Sequence, residues 1–320
     1  MPTHPISQRK VLQVSKNAFK KVSYPFRATY RKIRALTTSA HILNYVPFKP
    51  TNFKLDAPPV CTNLFLFARN TSNIGDLHST PFDYFTFRGE SSVGDFWSAV
   101  NMGEDRFDNI IVGGGAFSNN YVLKAMYYQR LRPKKNLILW GAGTDMPGRP
   151  PMSRDFIDRC SLIGTRDFEC ASIDNEKVLF CPCASAMSRA FDIVRPPPVH
   201  PVICYLHHNR AYNRTDLFHG YPIMHNYGDF IESLDFLASG EIVITDSYHG
   251  LYWATLLGKK VISLIDSGKF AMFKWVPAYA KIESFRNNLK YRSDINIYPE
   301  ALSECRELNM AFYQKVISIL

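Results

Sequence analysis

The segment Glu241–Gly250 (EIVITDSYHG) combines residue types that could transfer a proton beside a bound anion. An apolar, strand-like run is followed by Asp246 and Ser247, either of which suits the N-cap of a helix. His249 would then lie in the first helical turn, where free N–H groups and the helix dipole favour an anion. Because imidazole titrates near neutral pH, we predict that His249 is a general acid or base and that Ser247 belongs to an anion-binding helix start.

Three basic side chains stand where predicted strands give way to loops. Arg166 follows the run Leu162–Thr165, Arg210 ends the cluster YLHHNR, and Lys274 lies among aromatic residues after another strand, close to Lys269. A guanidinium can hold a carboxylate or phosphate through two N–H groups, and a lysine adds a positive charge. We predict that Arg166, Arg210 and Lys274 bind the anion.

Two glycine-containing loops could let a ligand approach the backbone closely. They are the loop that ends at Asp76 and the run Gly113–Gly115, and we predict that Asp76 and Gly114 bind an acceptor. Neither loop has the spacing of a dinucleotide-binding or NTP-binding glycine motif. His207 and His208 would point to opposite sides of a continuing strand, and no third ligand stands at a recognisable spacing, so no metal site is predicted.

Short apolar runs alternate with helical stretches from residue 61 onwards, which predicts an α/β fold with mostly parallel sheets. The proline-rich run Arg195–Pro201 indicates a hinge between two halves. We therefore expect a leader over residues 1–55, an N-terminal α/β domain over 56–195 and a C-terminal α/β domain with a terminal helix over 196–320. Ligands bind at the carboxyl ends of such sheets, so the site is expected in a cleft between the halves.

The positive charge of this protein is segregated at its beginning. Residues 1–55 contain 11 Lys and Arg and no Asp or Glu, whereas the remaining 265 residues contain 27 basic and 28 acidic residues. This distribution indicates an amphipathic arm over residues 9–36 that contacts an anionic membrane surface. It argues against a globular domain that binds nucleic acid. An organelle transit peptide and a solvated arm remain alternatives. No apolar run is long enough for a membrane span, so we expect a cytoplasmic protein, peripheral at the inner membrane face.

The order of several short motifs resembles that of the polysaccharide pyruvyltransferase family, in its exopolysaccharide ketal branch. The motifs extend over about residues 61–280: NIGD at 73–76, IVGGG at 111–115, WGAG at 140–143, TRDFEC at 165–170, ITDSYHG at 244–250 and FKW at 273–275. The resemblance implies two GT-B-like Rossmann-type domains. It implies transfer of a pyruvyl group from phosphoenolpyruvate, a co-substrate, to a sugar of a surface polysaccharide or its lipid-linked repeat unit, with no other cofactor.

The resemblance also assigns roles to particular residues. His249 matches the family's catalytic histidine, and Arg166 matches an arginine that binds the anionic donor. Two positions depart from the family pattern: Ser247 stands where many members have arginine, and Cys183-Ala184 stands where members commonly have Asp-Pro. Arg210, Lys269 or Lys274 could supply the charge that Ser247 lacks.

Two other functions are compatible with the same sequence features. A GT-B glycosyltransferase that uses a nucleotide sugar also needs a helix start for its diphosphate, and the released product would distinguish it from a pyruvyltransferase. A non-catalytic polysaccharide assembly protein of the same fold is the second alternative, and turnover with either donor would exclude it.

Overall fold

Two parallel β-sheets form the framework of the molecule. The structure, a computed structural model, describes residues 62–69, 71–96, 107–114, 116–118, 131–144, 154–168, 171, 175–208 and 215–320. The leader over residues 9–36, Arg210 and most of the helix expected after Arg166 lie outside these residues. The membrane contact of the leader therefore stays a prediction.

The first sheet has the strand order β2-β1-β3-β5-β6-β7, with β4 paired to β5, and every pairing is parallel. Its strands are β1 Asn63–Phe67, β2 Ser91–Asp95, β3 Asn109–Gly113, β4 Ala116–Ser118, β5 Asn136–Thr144, β6 Leu162–Thr165 and β7 Val178–Phe180. The second sheet has the order β12-β11-β10-β8-β9 and is also parallel throughout. Its strands are β8 His200–Leu206, β9 Ile223–His225, β10 Gly240–Thr245, β11 Lys260–Ser263 and β12 Ala278–Tyr279. The predicted α/β fold with two parallel sheets is confirmed.

Helices and short 3-10 turns connect the strands. The α-helices among the described residues are α1 Ile74–Leu77, α2 Arg154–Arg159, α3 Phe230–Ala238, α4 Tyr248–Leu256, α5 Phe285–Asn288 and α6 Ala301–Ile319. The 3-10 helices are Pro81–Asp83, Ala184–Met187, Arg189–Asp192, Thr215–Phe218, Gly268–Phe270 and Leu289–Asp294. None of the helices that the structure describes has the length and apolar character needed to cross a membrane.

Strands such as β1 and β3 are buried along their whole length because both faces of the sheet are covered. Successive residues of a strand point to opposite faces. In the first sheet, Leu64 and Leu66 pack on one side, and Phe65 packs on the other with Phe312 of α6. The terminal helix α6 therefore covers a face of the first sheet, although it follows the second sheet in sequence.

Three asparagines lie side by side near the amino ends of β1, β3 and β5. Asn109 Nδ2 donates to Asn63 Oδ1 at 2.9 Å, and Asn136 Nδ2 donates to Asn109 Oδ1 at 2.8 Å. The same residues are direct partners in the strand register. Because a one-residue slip would break both side-chain hydrogen bonds, this ladder helps to fix the register of the three strands.

Several element boundaries differ from the sequence prediction. Helix α1 starts inside the predicted loop Arg69–Asp76, because the Asn73 side chain accepts a hydrogen bond from Gly75 N and caps the helix. Strand β8 begins at His200, within the proline-rich run, and strands β2, β4, β9 and β12 were not predicted. Both sheets lie in one compact unit, Asp56–Leu320, and the domain boundary near residue 195 stays a prediction.

Candidate functional site

The start of α4 is built as its sequence predicts. Buried strand β10 ends at Thr245, whose hydroxyl oxygen accepts a hydrogen bond from Ser247 N at 3.0 Å. Ser247 is the N-cap, and its hydroxyl oxygen accepts from Gly250 N at 3.4 Å. His249 therefore lies in the first turn of α4, where it is only 4% exposed.

A loop from the first sheet lies against this helix start. Asn73 caps α1 and also donates through Nδ2 to Asp76 Oδ2 at 3.0 Å, which orients the half-buried Asp76 carboxylate. Gly75 is in direct contact with the imidazole of His249. A Cβ placed on Gly75 would lie 2.0 Å from His249 Nδ1 and 2.2 Å from Cγ, so the close approach requires glycine. The Asn73–Asp76 segment and the start of α4 are thus in contact.

Asn226, which follows β9, joins this loop to the second sheet. Its carbonyl oxygen accepts from Ile74 N at 3.0 Å, and its Nδ2 donates to Asn73 Oδ1 at 2.9 Å. Its Oδ1 accepts from His208 N at 2.9 Å. Asn226 is fully buried, so each of these bonds replaces a lost contact with water. The residues around Asn226 in the sequence did not indicate a role at the site, because its hydrogen-bond partners are far away along the chain.

Arg166 follows β6 and reaches the same region from the first sheet. It is 3% exposed, and its Cζ lies 3.9 Å from the ring centroid of Tyr248, which precedes His249. Gly143 at the end of β5 makes room for it, since a Cβ on Gly143 would lie 2.5 Å from Arg166 Nε. The structure thus places Arg166 beside the start of α4.

His249 is buried among positively charged groups, and its pKa is well below the ordinary value. Burial is the main cause, and the charges of Arg166, Lys269, His78 and His207 add to it. In the unliganded protein the imidazole is therefore neutral at physiological pH. A bound anion would offset the positive charges and raise the pKa of His249.

Three histidines near the site were not assigned a role from sequence. His78 follows α1 and stacks on Phe230 with ring centroids 4.3 Å apart. In the sequence, its position two residues after Asp76 is the feature that could have indicated a role at the site. His207 and His208 stack at 5.1 Å instead of pointing to opposite sides, because β8 ends at Leu206. His208 Nε2 lies 2.9 Å from Ser72 Oγ, which forms a second link between the sheets.

Cys183, one of the two departures from the family pattern, lies directly against His249. Its Sγ is 3.6 Å from His249 Nε2, and its carbonyl oxygen accepts from Tyr252 Oη at 2.9 Å. The thiol is fully buried, and burial raises its pKa, so it is neutral at physiological pH. The five cysteines that the structure describes are all buried and unbridged: Cys160, Cys181, Cys183, Cys204 and Cys305.

The other predicted site residues have different surroundings. Lys274 forms an ion pair with Glu304 and lies 5.3 Å from the Trp275 ring centroid, so its charge is already compensated. Gly114 has a φ of 59° and lies so close to Ser79 that a Cβ there would come within 2.0 Å of the Ser79 Cβ. Glycine at position 114 thus allows the backbone to pack closely against Ser79. The donor and acceptor roles predicted for Lys274, Arg210 and Gly114 stay predictions.

Within the described part of the chain, no three His, Cys, Asp or Glu side chains are grouped in a way that could hold a metal ion. The arrangement that is present consists of a buried imidazole at a helix start, a buried guanidinium and further basic side chains. Such a group of donors can bind an anion and place a proton beside it.

Similarity to solved structures was found at low identity. An uncharacterized protein from Klebsiella pneumoniae is 16% identical with a TM-score of 0.42, over 64% of this chain and 83% of that one. UDP-GlcNAc 2-epimerase from Methanocaldococcus jannaschii is 12% identical with a TM-score of 0.48, over 79% and 99%. The wall teichoic acid polymerase TagF is 12% identical with a TM-score of 0.40, over 79% and 82%. No curated protein matches the sequence.

The family model of the polysaccharide pyruvyl transferases matches residues 4–267. The match contains both sheets up to the end of β11, and it includes the Asn73–Asp76 loop, Arg166 and the start of α4. Because it covers most of the sequence, this protein belongs to the polysaccharide pyruvyl transferase family.

Proposed function

We propose that this protein transfers the pyruvyl group of phosphoenolpyruvate to a sugar of a surface polysaccharide or of its lipid-linked repeat unit and forms a pyruvate ketal. The observation that carries the proposal is the set of positive charges around His249. Arg166 Cζ and Lys269 Nζ lie 3.9 Å and 5.9 Å from the ring centroid of Tyr248, the residue before His249, and their charges contribute to the low pKa of the histidine. Phosphoenolpyruvate has a phosphate and a carboxylate, which match such surroundings.

In this proposal His249 is the general acid. Transfer begins when a proton is delivered to the methylene carbon of phosphoenolpyruvate, and carbon 2 then develops positive character. A sugar hydroxyl attacks carbon 2, the bond from carbon 2 to the phosphate oxygen breaks, and a second hydroxyl attacks the same carbon and closes the ketal. Of the two hydroxyl protons, one restores the acid and the other leaves with the phosphate. The neutral imidazole of the unliganded protein becomes protonated when the donor's negative charge raises its pKa, so binding of the donor prepares the acid.

The acceptor would approach from the Asn73–Asp76 loop. Asp76 is half-buried and follows Gly75, which contacts His249, and its carboxylate is fixed by Asn73 Nδ2. A fixed carboxylate can accept hydrogen bonds from sugar hydroxyls. Because His249 and Arg166 are almost fully buried, the proposal requires that this loop moves away from α4 when substrates enter.

The test of this function is incubation of the full-length protein with phosphoenolpyruvate and an extracted lipid-linked repeat unit. We expect release of inorganic phosphate and a mass gain of one pyruvyl group on the acceptor, which tandem mass spectrometry would locate as a ketal on one sugar. Release of a nucleoside phosphate from a nucleotide sugar, without any reaction of phosphoenolpyruvate, would contradict the proposal and indicate a glycosyltransferase.

Arg166→Ala is expected to raise the donor KM. Loss of a charge-assisted hydrogen bond typically costs about 1.5–3 kcal/mol, which corresponds to roughly 10- to 150-fold in KM. Steady-state kinetics with varied phosphoenolpyruvate measures the effect. Lys274→Ala is the matched control, and a smaller effect is expected there because Glu304 already compensates that charge. An unchanged donor KM in Arg166→Ala would show that the anion binds elsewhere.

A further inference from the structure

A chain of hydrogen-bonding groups leads from the core of α4 to the ring of His249. Trp253 Nε1 donates to Ser185 Oγ at 3.1 Å, and Ser185 Oγ donates to Cys183 Sγ at 3.3 Å. Cys183 Sγ lies 3.6 Å from His249 Nε2. Trp253, Ser185 and Cys183 are fully buried, so these groups satisfy one another in the absence of bulk water.

The direction of this chain follows from its first member. An indole N–H can only donate a hydrogen bond, so Ser185 Oγ accepts a hydrogen bond from Trp253. The Ser185 hydroxyl is then left to donate its own hydrogen bond to another group. The sulfur of Cys183 accepts the hydrogen bond from Ser185, and its S–H group can therefore donate a hydrogen bond to the imidazole. Among the side chains described around this sulfur, the His249 ring is the remaining acceptor, and it contacts the sulfur through Nε2.

We propose that Cys183 is a positioning residue for His249: its thiol donates to Nε2 and thereby holds the proton of the neutral imidazole on Nδ1. A neutral imidazole carries one N–H and one lone pair, so occupation of the lone pair at Nε2 leaves the proton on Nδ1. Nδ1 is the ring nitrogen that faces Gly75 in the Asn73–Asp76 loop. The ring therefore presents an N–H, and not a lone pair, towards the region where the substrates are proposed to bind.

The same contact suits the protonated ring. Nδ1 already bears a proton, so a second proton must bind at Nε2, and the sulfur then accepts a hydrogen bond from that N–H through its own lone pair. Cys183 thus keeps the ring orientation in both charge states. This inference rests on the proposed role of His249, but the position of the proton can be measured without any turnover.

The test uses full-length protein with ¹⁵N-labelled histidine, observed by NMR at about pH 8, well above the ordinary imidazole pKa of roughly 6.5. The signals of His249 are identified by their loss in His249→Gln. We expect the proton on Nδ1 in the wild-type protein and in Cys183→Ser, whose hydroxyl can donate in place of the thiol. In Cys183→Ala and Ser185→Ala we expect a mixture of tautomers. Cys204→Ala removes a buried thiol that packs in a different hydrophobic cluster from Cys183 and is the matched control, with the wild-type tautomer expected.

Turnover gives a second readout. We expect Cys183→Ala to lower kcat by roughly 10- to 100-fold at unchanged donor KM, since misplacement of a reacting group by about 1 Å can cost 10²-fold. Cys183→Ser should recover most of the lost rate. The inference is overturned if wild-type His249 carries its proton on Nε2 or if Cys183→Ala leaves the tautomer unchanged. Absence of pyruvyl transfer by the wild-type protein would overturn the proposed function, whereas the tautomer result would still decide the role of Cys183.

Discussion

Replacement of His249 by alanine is expected to lower kcat by about 10²-fold or more, because a positioned general acid usually contributes a rate enhancement of this size. The imidazole is buried at the start of α4, and its ring contacts both Gly75 and Cys183, so no solvent-borne acid can easily take its place. Steady-state kinetics with phosphoenolpyruvate and the lipid-linked acceptor measures the loss. His219→Ala, which removes an exposed histidine of the second half, is the control and should retain the wild-type rate.

The pH dependence gives an independent check of the same residue. An acid works only when protonated, so the rate falls as pH rises through its pKa. For kcat/KM the relevant pKa is that of the free protein, which burial and the neighbouring cations place well below the ordinary imidazole value. For kcat it is that of the donor complex, and we expect it to be higher because the anion offsets those cations. His249 would be excluded as the acid by activity of His249→Ala within a few-fold of wild type, or by the reverse order of the two pKa values.

Gly75→Ala is expected to reduce turnover nearly as much as loss of His249, although it removes no functional group. The added Cβ would lie 2.0 Å from His249 Nδ1, far inside van der Waals contact, so the ring or the Asn73–Asp76 loop must move. Overpacking of this kind typically costs about 1–3 kcal/mol of stability, and a displacement of about 1 Å can cost 10²-fold in rate. Kinetics and thermal or denaturant unfolding of the variant measure both effects.

A double-mutant cycle separates this clash from a general effect of alanine in α1. If the imidazole is the main obstacle, Gly75→Ala should destabilise the His249→Ala variant less than the wild-type protein, because only the Cβ of residue 249, 2.7 Å from the added Cβ, remains in that background. Equal destabilisation in both backgrounds would contradict the contact between Gly75 and His249. Wild-type activity of Gly75→Ala would also contradict it.

The sequence by itself determined the features that depend on short stretches of chain. The buried run before Thr245, a cap at Asp246 or Ser247 and the position of His249 in the first turn of α4 all follow from neighbouring residues; the structure agrees and has Ser247 as the cap. The same is true of β6, which delivers Arg166 to the end of a strand. The apolar runs also predicted parallel sheets, because strands covered on both faces lose the alternation of polar and apolar residues.

Only the tertiary structure decided which of these features meet. Gly75 and Cys183 are far from His249 along the chain, and both contact its ring because the carboxyl ends of the two sheets lie together. Asn226 also holds these parts together, because it bonds both to Asn73 and Ile74 after β1 and to His208 after β8, and partners so far apart leave no local pattern. The low pKa of His249 has the same origin, since burial and the surrounding charges come from both sheets. A sequence pattern records the preferences of a segment for its own conformation, whereas contacts between distant segments depend on how the sheets and helices pack.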